Sequence, residues 1–335
     1  MIVKLSKVLE MSLFKYISLI LLIIIGGFLI ESGNSQGRQG FVVNSYIVVD
    51  FHSKKILSAR DIDKKMPVAS LTKIATAAVV LDWAQAVNAD LSSNLIIPQS
   101  AALIGGPNQL GLVPGDLMSI RDALYCSILG SNNWTAEALA VHVGKDLLLR
   151  EGKGGDPIKE FVKNMNALAL NNGAKNTRFK NSHGMDHQGK PPFSCASDIA
   201  RLSIYAMNMA PFAFICSQKS REVSVFKREG KKKFLVKNTN KILGIDGIDG
   251  IKTGQTSKAG PCLAVTSEKQ PLVNEIADGK KQVIPRRLIA VVLGAQQRFD
   301  ASRSLLLRGW QKFDAWNRQG RQVLGNDEFL STVKN

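Results

Sequence analysis

Residues 68–75 read V-A-S-L-T-K-I-A, and the rest of the chain is organised around this stretch. Pro67 precedes it, and a run of apolar residues follows without a helix breaker until the polar segment 85–90. This pattern predicts a buried helix that begins near Ser70. A spacing of three residues would place the Ser70 hydroxyl and the Lys73 amine on one helix face, within reach of each other.

The S-x-x-K pair could supply both a nucleophile and its base. A serine hydroxyl is a poor nucleophile until a neighbouring base removes its proton. Lys73 can be that base if burial and nearby positive charge lower its pKa well below the reference of about 10.4. The helix N-terminus adds partial positive charge, which disfavours the ammonium form of Lys73. Because S-x-x-K occurs by chance in many proteins, the rest of the chain has to support this interpretation.

Length and composition predict a globular chain. Its 335 residues are 45% hydrophobic, which is enough for one large domain or two ordinary ones with a real core. Four cysteines are scattered through it, at Cys126, Cys195, Cys216 and Cys262. Without C-x-x-C spacing they argue against zinc and predict buried free thiols. His183 and His187 lack an H-E-x-x-H pattern, so we expect loop hydrogen bonds, no metal site and no cofactor.

The N-terminus predicts export. It combines lysines, an apolar run over residues 16–30 and small residues up to Ser35. Residues 1–35 are therefore predicted to be a signal peptide or an N-terminal anchor, and the protein to be periplasmic or on the outer face of the cytoplasmic membrane. The net charge of +17 is densest at residues 227–233. In an exported protein it favours an anionic envelope surface over nucleic acid as partner, although a solvated hairpin tip at Gly230 is the simpler interpretation.

The order of patterns along the chain predicts the fold class. Strand-like runs over residues 41–61 precede the Ser70 helix, and residues 95–210 are mainly helical in pattern. Strands return from residue 220, and the segments 260–267 and 286–295 are expected to pair, with the charged segment between them as a loop. A final helix covers about residues 300–317. We therefore predict an α/β (α+β) fold, with an antiparallel sheet flanked by helices and an inserted all-helical lobe.

Two further motifs follow the S-x-x-K pair. They are S-N-N at residues 131–133 and K-T-G at residues 252–254. The order S-x-x-K, S-x-N, K-T-G is the signature of class A β-lactamases and penicillin-binding proteins. With L-V-P-G-D, F-K-N-S-H-G-M-D and D-G-I-K-T-G-Q-T-S-K-A-G, the chain resembles the D-alanyl-D-alanine carboxypeptidases, the low-molecular-mass penicillin-binding proteins, over about residues 45–316. The resemblance implies a β-lactamase/penicillin-binding-protein-like fold, with the catalytic domain at residues 36–320.

The resemblance also implies roles for individual residues. Ser70 would attack the substrate, Lys73 would be its base, and Ser131 would relay a proton to the leaving amine. The expected substrate-binding residues are Asn133, Lys252, Thr253, Gly254, Gln255 and Arg298. Backbone N–H groups of Ser70 and Gln255 would form the oxyanion hole. Gln255 stands where the family usually has histidine, and we expect little loss because the backbone is the donor.

The implied activity is removal of the terminal D-alanine from peptidoglycan stem pentapeptides through an acyl-enzyme on Ser70, with β-lactams as acylating inhibitors. The alternatives are a D,D-endopeptidase, a β-lactamase and a non-catalytic penicillin-binding wall scaffold. A β-lactamase could use Glu160 and Asn164 to activate water, but their segment has the pattern of an amphipathic helix, so we expect Glu160 on the solvated surface. Residues 321–335 are expected to be a short tail without the C-terminal β-domain that the family often carries.

Overall fold

The computed structural model describes residues 41–186, 191–275, 280–325 and 328–331. Its strands are β1 (Val43–Asp50), β2 (Ile56–Arg60), β3 (Met66–Pro67), β4 (Asn94–Ile96), β5 (Leu117–Ser119), β6 (Phe193–Ser194), β7 (Ser220–Lys227), β8 (Gly230–Lys237), β9 (Ile248–Thr256), β10 (Gly260–Glu275) and β11 (Lys281–Ala295). Its helices are α1 (Thr72–Ala86), α2 (Ile120–Ile128), α3 (Asn133–Arg150), α4 (Pro157–Asn171), α5 (Ala196–Met207), α6 (Ala210–Ser217) and α7 (Arg298–Arg318).

A five-stranded antiparallel sheet, in the order β2-β1-β11-β10-β9, forms the centre of the fold. Successive side chains of a strand point to opposite faces, and both faces of this sheet are buried. Val48 of β1 packs with Trp310 and Phe313 of α7, whereas its neighbours Ile47 and Val49 join the core on the other face. The predicted antiparallel sheet flanked by helices is confirmed, and so are the hairpin before the Ser70 helix and the final helix.

In the charged segment between residues 267 and 286, residues 268–275 and 281–285 are strands rather than the predicted loop. β10 continues to Glu275 and β11 begins at Lys281, so the two strands extend well beyond the sheet centre. The cause is an apolar alternation hidden among the charges. Leu272 pairs with Ile284, and both pack into the cluster beneath α7. The prediction of a loop was wrong here because it was based on the charged residues of the segment and did not recognise the apolar pair.

The lobe predicted over residues 95–210 is mainly helical, but the expectation that it is all-helical was wrong. It also contains short strands, because β4 and β5 join β7 and β8 in a four-stranded sheet of order β4-β5-β7-β8. β4 and β5 have three residues each, too few for a periodicity to be visible in the sequence. This small sheet leaves β8 as an edge strand beside the junction between α2 and α3.

No single helix in the described part of the chain is long and apolar enough to cross a bilayer. α5 and α6 meet that criterion only when taken together, with a bend of 104° between them. Ile199 of α5 and Phe212 of α6 are both fully buried in the protein core.

The four cysteines are buried and free, which confirms the prediction of thiols without a disulfide. Burial raises the pKa of the Cys195 and Cys262 thiols to about 11. Both side chains are therefore protonated at neutral pH and contribute to packing rather than to thiol chemistry.

Candidate active site

Ser70 lies in a single 3₁₀ turn, Ala69–Leu71, that leads directly into α1. Val68 and Leu71 on either side of it are buried and hold the turn in the core. Ala69 has a left-handed backbone with φ of +49°, a conformation that costs energy for a residue with a Cβ. The core therefore fixes the position of the Ser70 hydroxyl, and the predicted start of the helix near this residue is confirmed.

Lys73 is fully buried one turn further along α1. Its Nζ lies 2.9 Å from Ser70 Oγ, 2.7 Å from Asn133 Oδ1 and 2.7 Å from the backbone carbonyl oxygen of His183. The predicted contact between the amine and the hydroxyl is thus present. Two of the three partners are oxygens that can only accept a hydrogen bond, and the third is a hydroxyl that can also donate.

This set of partners is compatible with a neutral amine. A neutral lysine has two N–H groups and one lone pair, and the N–H groups can donate to Asn133 Oδ1 and to the His183 carbonyl. The lone pair then faces Ser70 Oγ, which is where a base has to be in order to remove the hydroxyl proton. Burial lowers the pKa of Lys73 well below its ordinary value of 10.5, and the positive charge of Lys252 lowers it further. Both effects favour the neutral amine, which is the form that a base needs.

The loop formed by residues 181–186 packs against the Ser70 turn. Asn181 Oδ1 accepts the backbone N–H groups of His183 and Gly184, which fixes the turn that presents the His183 carbonyl to Lys73. Gly184 has φ of +82°, and a Cβ built there would lie 1.9 Å from the carbonyl oxygen of Ala69. Only glycine allows this approach of the two backbones. The loop is consequently one wall of the site.

The S-x-N segment lies at the start of α3. Asn132 caps the helix by accepting the backbone N–H of Thr135 at 2.9 Å, and Asn133 is the first helical residue. Ser131 precedes the cap with a left-handed backbone, φ +57°. The structure brings Asn133 into contact with Lys73, whereas no described residue makes a hydrogen bond with the Ser131 hydroxyl. The proton-relay role of Ser131 stays a prediction.

The K-T-G motif lies on β9, the strand at the edge of the central sheet that faces the Ser70 turn. Lys252 is buried, and its Nζ donates to the Thr253 carbonyl at 3.0 Å. Burial, and then the nearby Arg298, lower the pKa of Lys252 to about 7. Arg298 Nη1 donates to the Gly254 carbonyl at 2.8 Å, so its guanidinium lies against the same strand. Lys252 and Arg298 therefore both lie beside β9, and Lys252 carries its positive charge below about pH 7.

The structure gives a different reason from the expected one for the presence of a glycine at position 254, Gly254. A Cβ at this position would lie 3.0 Å from the Val68 carbonyl oxygen and 3.2 Å from the Ser70 nitrogen. The close approach that requires glycine is thus between β9 and the Ser70 turn, and not only between β9 and a substrate. Gln255 pairs with Pro261 of β10, which has no N–H to donate. In this register the Gln255 N–H points to the free edge of β9, where an oxyanion donor is predicted.

The sequence raised two alternative sites, a β-lactamase glutamate and a metal site, and the structure describes residues of both. Glu160 lies on α4, which is a helix as predicted, and its Oε1 contacts Lys163 Nζ at 3.0 Å and Asn164 Nδ2 at 3.1 Å. Its side chain is only 12% exposed, so the expectation of a solvated surface residue was wrong, because these neighbours cover it.

Among the described residues no group of three or more His, Cys, Asp or Glu side chains could hold a metal ion. The His183 Nδ1 accepts the Met185 N–H, a loop hydrogen bond as predicted; His187 lies outside the described residues.

Sequence reasoning missed the parts of the site that consist of backbone. It did not assign the His183 carbonyl, the loop-organising Asn181 or Thr239, whose hydroxyl lies 2.7 Å from the Thr253 hydroxyl. The available signals were a glycine inside the polar segment N-S-H-G-M-D and the polar triplet N-T-N that follows β8. Neither signal identifies a contact without the fold.

Comparison with known proteins decides the family. The sequence profile of the D-alanyl-D-alanine carboxypeptidase family matches residues 34–297. The chain belongs to this family. It is 31% identical over 280 residues to D-alanyl-D-alanine carboxypeptidase DacC of Escherichia coli, a match that covers 81% of this chain and 62% of that protein. It is 30% identical over 230 residues to a D-alanyl-D-alanine endopeptidase of Pseudomonas aeruginosa, a match that covers 68% of each protein.

The fold is that of the family as well. Penicillin-binding protein D2 of Listeria monocytogenes, solved in a cefotaxime-bound form, superposes with a TM-score of 0.63 at 26% identity, over 82% of this chain and 100% of that one. The predicted β-lactamase/penicillin-binding-protein-like fold is confirmed. The chain spans about three fifths of the length of the E. coli carboxypeptidase that it matches.

Proposed function

We propose that the protein is an exported serine-type D-alanyl-D-alanine carboxypeptidase that removes the terminal D-alanine from peptidoglycan stem pentapeptides. The observation that carries the proposal is the contact between Ser70 Oγ and Lys73 Nζ, in which the amine is fully buried, has a strongly lowered pKa and has acceptors as its other two partners. Membership of the family supports this choice of substrate. Export rests on the signal-like pattern of residues 1–35.

The proposed mechanism is acyl transfer through Ser70. Lys73 takes the Ser70 proton as Oγ attacks the carbonyl carbon of the penultimate D-alanine, and the backbone N–H groups of Ser70 and Gln255 stabilise the oxyanion. The C–N bond then breaks, and the leaving nitrogen takes a proton, with Ser131 as the relay. Water hydrolyses the resulting ester, with Lys73 again as base, which releases the shortened peptide and restores the Ser70 hydroxyl.

The K-T-G strand gives this site its preference for a substrate that ends in a carboxylate. The Thr253 hydroxyl can donate to that carboxylate, while Lys252 and Arg298 supply positive charge beside it. A β-lactam presents a carboxylate and a strained amide in one molecule, so we propose that it acylates Ser70 as well. Arg298 holds the strand through the Gly254 carbonyl, and we propose that it also faces the substrate carboxylate.

The test is D-alanine release by the purified full-length protein. The wild type should release free D-alanine from a synthetic stem pentapeptide and should gain the mass of one penicillin on a peptide that contains Ser70. Ser70→Ala should do neither, because Ser70 supplies the only hydroxyl that bonds the Lys73 amine among the described residues. Ser217→Ala is the matched control and should behave as the wild type, since the half-buried Ser217 hydroxyl bonds, among the described residues, only the Phe214 carbonyl and Gln218 of its own segment.

The outcomes separate the remaining alternatives. Acylation by penicillin without any release of D-alanine would favour a non-catalytic binding scaffold. Rapid and repeated hydrolysis of penicillin would favour a β-lactamase, for which Glu160 is poorly placed because it is engaged by Lys163 and Asn164 on α4. Full activity of Ser70→Ala would contradict the proposal outright.

A further inference from the structure

A cavity of about 660 Å³ lies against the C-terminal half of α1. Its walls come from α1, α3, α4 and α5, and the polar residues that line it are Asp82, Asn164, Asn171, Asn172 and Tyr205. None of the residues predicted to react with or bind substrate lines it. Asp82 follows Lys73 on α1 at a distance of about 14 Å along the helix axis. We call this feature the Asp82 cavity, and its volume is that of a small-molecule site.

Asp82 is a half-buried carboxylate that forms no ion pair with any described residue. Its partner is the Tyr205 hydroxyl, which lies 2.9 Å from both carboxylate oxygens. Burial, and then Asp82, raise the pKa of Tyr205 to about 12, so this hydroxyl stays protonated and donates. Burial also raises the pKa of Asp82 above its ordinary value of 3.8, and no cation opposes that rise. Since carboxylates inside proteins are usually paired, and this chain has 44 lysines and arginines, the missing cation is a local property of the cavity.

Two helix C-termini make the Asp82 cavity more negative. α1 ends at Ala86 and α4 ends at Asn171, and both residues line the cavity. The C-terminal end of a helix carries a partial negative charge of about half an elementary charge, which a basic side chain in the last turn can offset. Neither α1 nor α4 has a basic residue in its last turn. Asp82 itself lies near the end of α1, where a carboxylate is unfavourable unless a cation is close.

The hydrogen-bonding groups of the cavity include acceptors without donors. Asn164 Nδ2 donates to the Glu160 carbonyl at 2.9 Å, and Asn172 Nδ2 donates to the Leu168 carbonyl at 2.9 Å. Neither asparagine Oδ1 accepts a hydrogen bond from a described residue. The indole N–H of Trp83 is used as well, since it donates to a carboxylate on α3 at 2.7 Å. A ligand that complements this cavity therefore supplies N–H or O–H donors together with positive charge.

We propose that the Asp82 cavity binds a small organic primary ammonium ion, with the ammonium group at Asp82. Such a cation brings three N–H donors and one positive charge to a carboxylate and to amide oxygens. The carbon part of the ligand packs against Val79, Leu147 and the Trp83 ring, which also line the cavity. A calcium ion fits less well, because it takes about six to eight oxygen ligands, and Asp82 is the only carboxylate among the described residues that line the cavity.

The test compares three probes of similar size on the full-length protein. Pentylammonium has both the charge and the N–H donors, 1-pentanol has the same chain without the charge, and pentyltrimethylammonium has the charge without an N–H. Binding is followed by the NMR resonance of the Trp83 indole N–H, which Trp83→Phe assigns. Pentylammonium should give a saturable shift and should bind at least about tenfold more tightly than either of the other probes, the effect of a charge-assisted hydrogen bond.

Asp82→Asn keeps the shape of the side chain and an acceptor for Tyr205, so the fold should be retained. It should weaken the binding of pentylammonium by about tenfold or more and leave that of 1-pentanol unchanged. Glu151→Gln is the matched control for a lost negative charge, since Glu151 is exposed and pairs with Lys153, and it should bind pentylammonium as the wild type does.

Four results would overturn the proposal. Equal affinity for pentylammonium and 1-pentanol would make the cavity an ordinary apolar pocket, and equal affinity for pentylammonium and pentyltrimethylammonium would remove the role of the N–H donors. Equal weakening in Asp82→Asn and Glu151→Gln would reduce the effect to net charge. A Trp83 resonance that shifts with calcium chloride, or with none of the probes, would likewise exclude a site for a primary ammonium ion.

Discussion

Replacing Lys73 with methionine is expected to lower the rate of Ser70 acylation by about 10²- to 10⁴-fold, the usual contribution of a general base. Methionine has a similar length and is apolar, so it fills the buried position without a new charge. Ser70 would lose the only amine within hydrogen-bond distance among its described contacts. The rate constant for acylation by a fluorescent penicillin, measured at saturating ligand, reports this step directly.

Non-covalent binding should change little in Lys73→Met, because Thr253, Lys252 and Arg298 on the opposite wall are unaltered. Lys163→Met is the control for the loss of a lysine, since Lys163 is 66% exposed and pairs with Glu160 on α4. A Lys73→Met protein that keeps its thermal transition and is acylated within about tenfold of the wild-type rate would contradict a base role for Lys73.

Gly184→Ala is expected to damage both stability and acylation. The new Cβ would lie 1.9 Å from the Ala69 carbonyl oxygen and 2.8 Å from Thr72 Oγ1, so the backbone of the loop or of the Ser70 turn has to move. Overpacking and the left-handed backbone together should lower the free energy of unfolding by about 2–4 kcal/mol. A displacement of Ser70 by about 1 Å should also slow acylation by about 10²-fold. Urea denaturation and penicillin acylation measure the two effects.

Gly152→Ala separates the clash from the backbone strain. Gly152 also has a left-handed backbone, φ +61°, but nothing lies within 4 Å of the Cβ position. It should lose only about 1–2 kcal/mol and keep its acylation rate. If Gly184→Ala and Gly152→Ala had equal effects, the close contact between the loop and the Ser70 turn would not matter for the site.

The reacting pair could be predicted from the sequence because it consists of two side chains three residues apart on one helix. Ser70 and Lys73 come together through one turn of chain, and K-T-G identifies the strand that faces them. The His183 carbonyl could not be predicted, because every residue has a carbonyl and only the fold selects one. The close approach of the Gly184 backbone to the Ala69 carbonyl could not be predicted either, because these two residues are far apart in the chain.

The sheet was predicted where burial is complete and mispredicted where it is partial. Residues 286–295 of β11 are almost continuously apolar, and their strand was predicted from the sequence. Over residues 268–275 and 281–285 most charged side chains are exposed, and the pairing of Leu272 with Ile284 supplies the apolar contact. The low exposure of Glu160 could not be predicted either. Its side chain is covered by neighbours on α4, and the sequence does not show in which direction their side chains point.

The pH dependence of Ser70 acylation tests the central pair most directly. Lys73 accepts a proton only when neutral, so acylation at saturating β-lactam should rise with pH and reach its plateau well below 10.5, following the lowered pKa of Lys73. Saturation matters because Lys252, with a pKa of about 7 in the free site, is charged below that pH and neutral above it, which should weaken β-lactam binding on the alkaline side. Acylation that continues to rise to an inflection near 10.5 would show that Lys73 is an ordinary ammonium group, and would contradict the account.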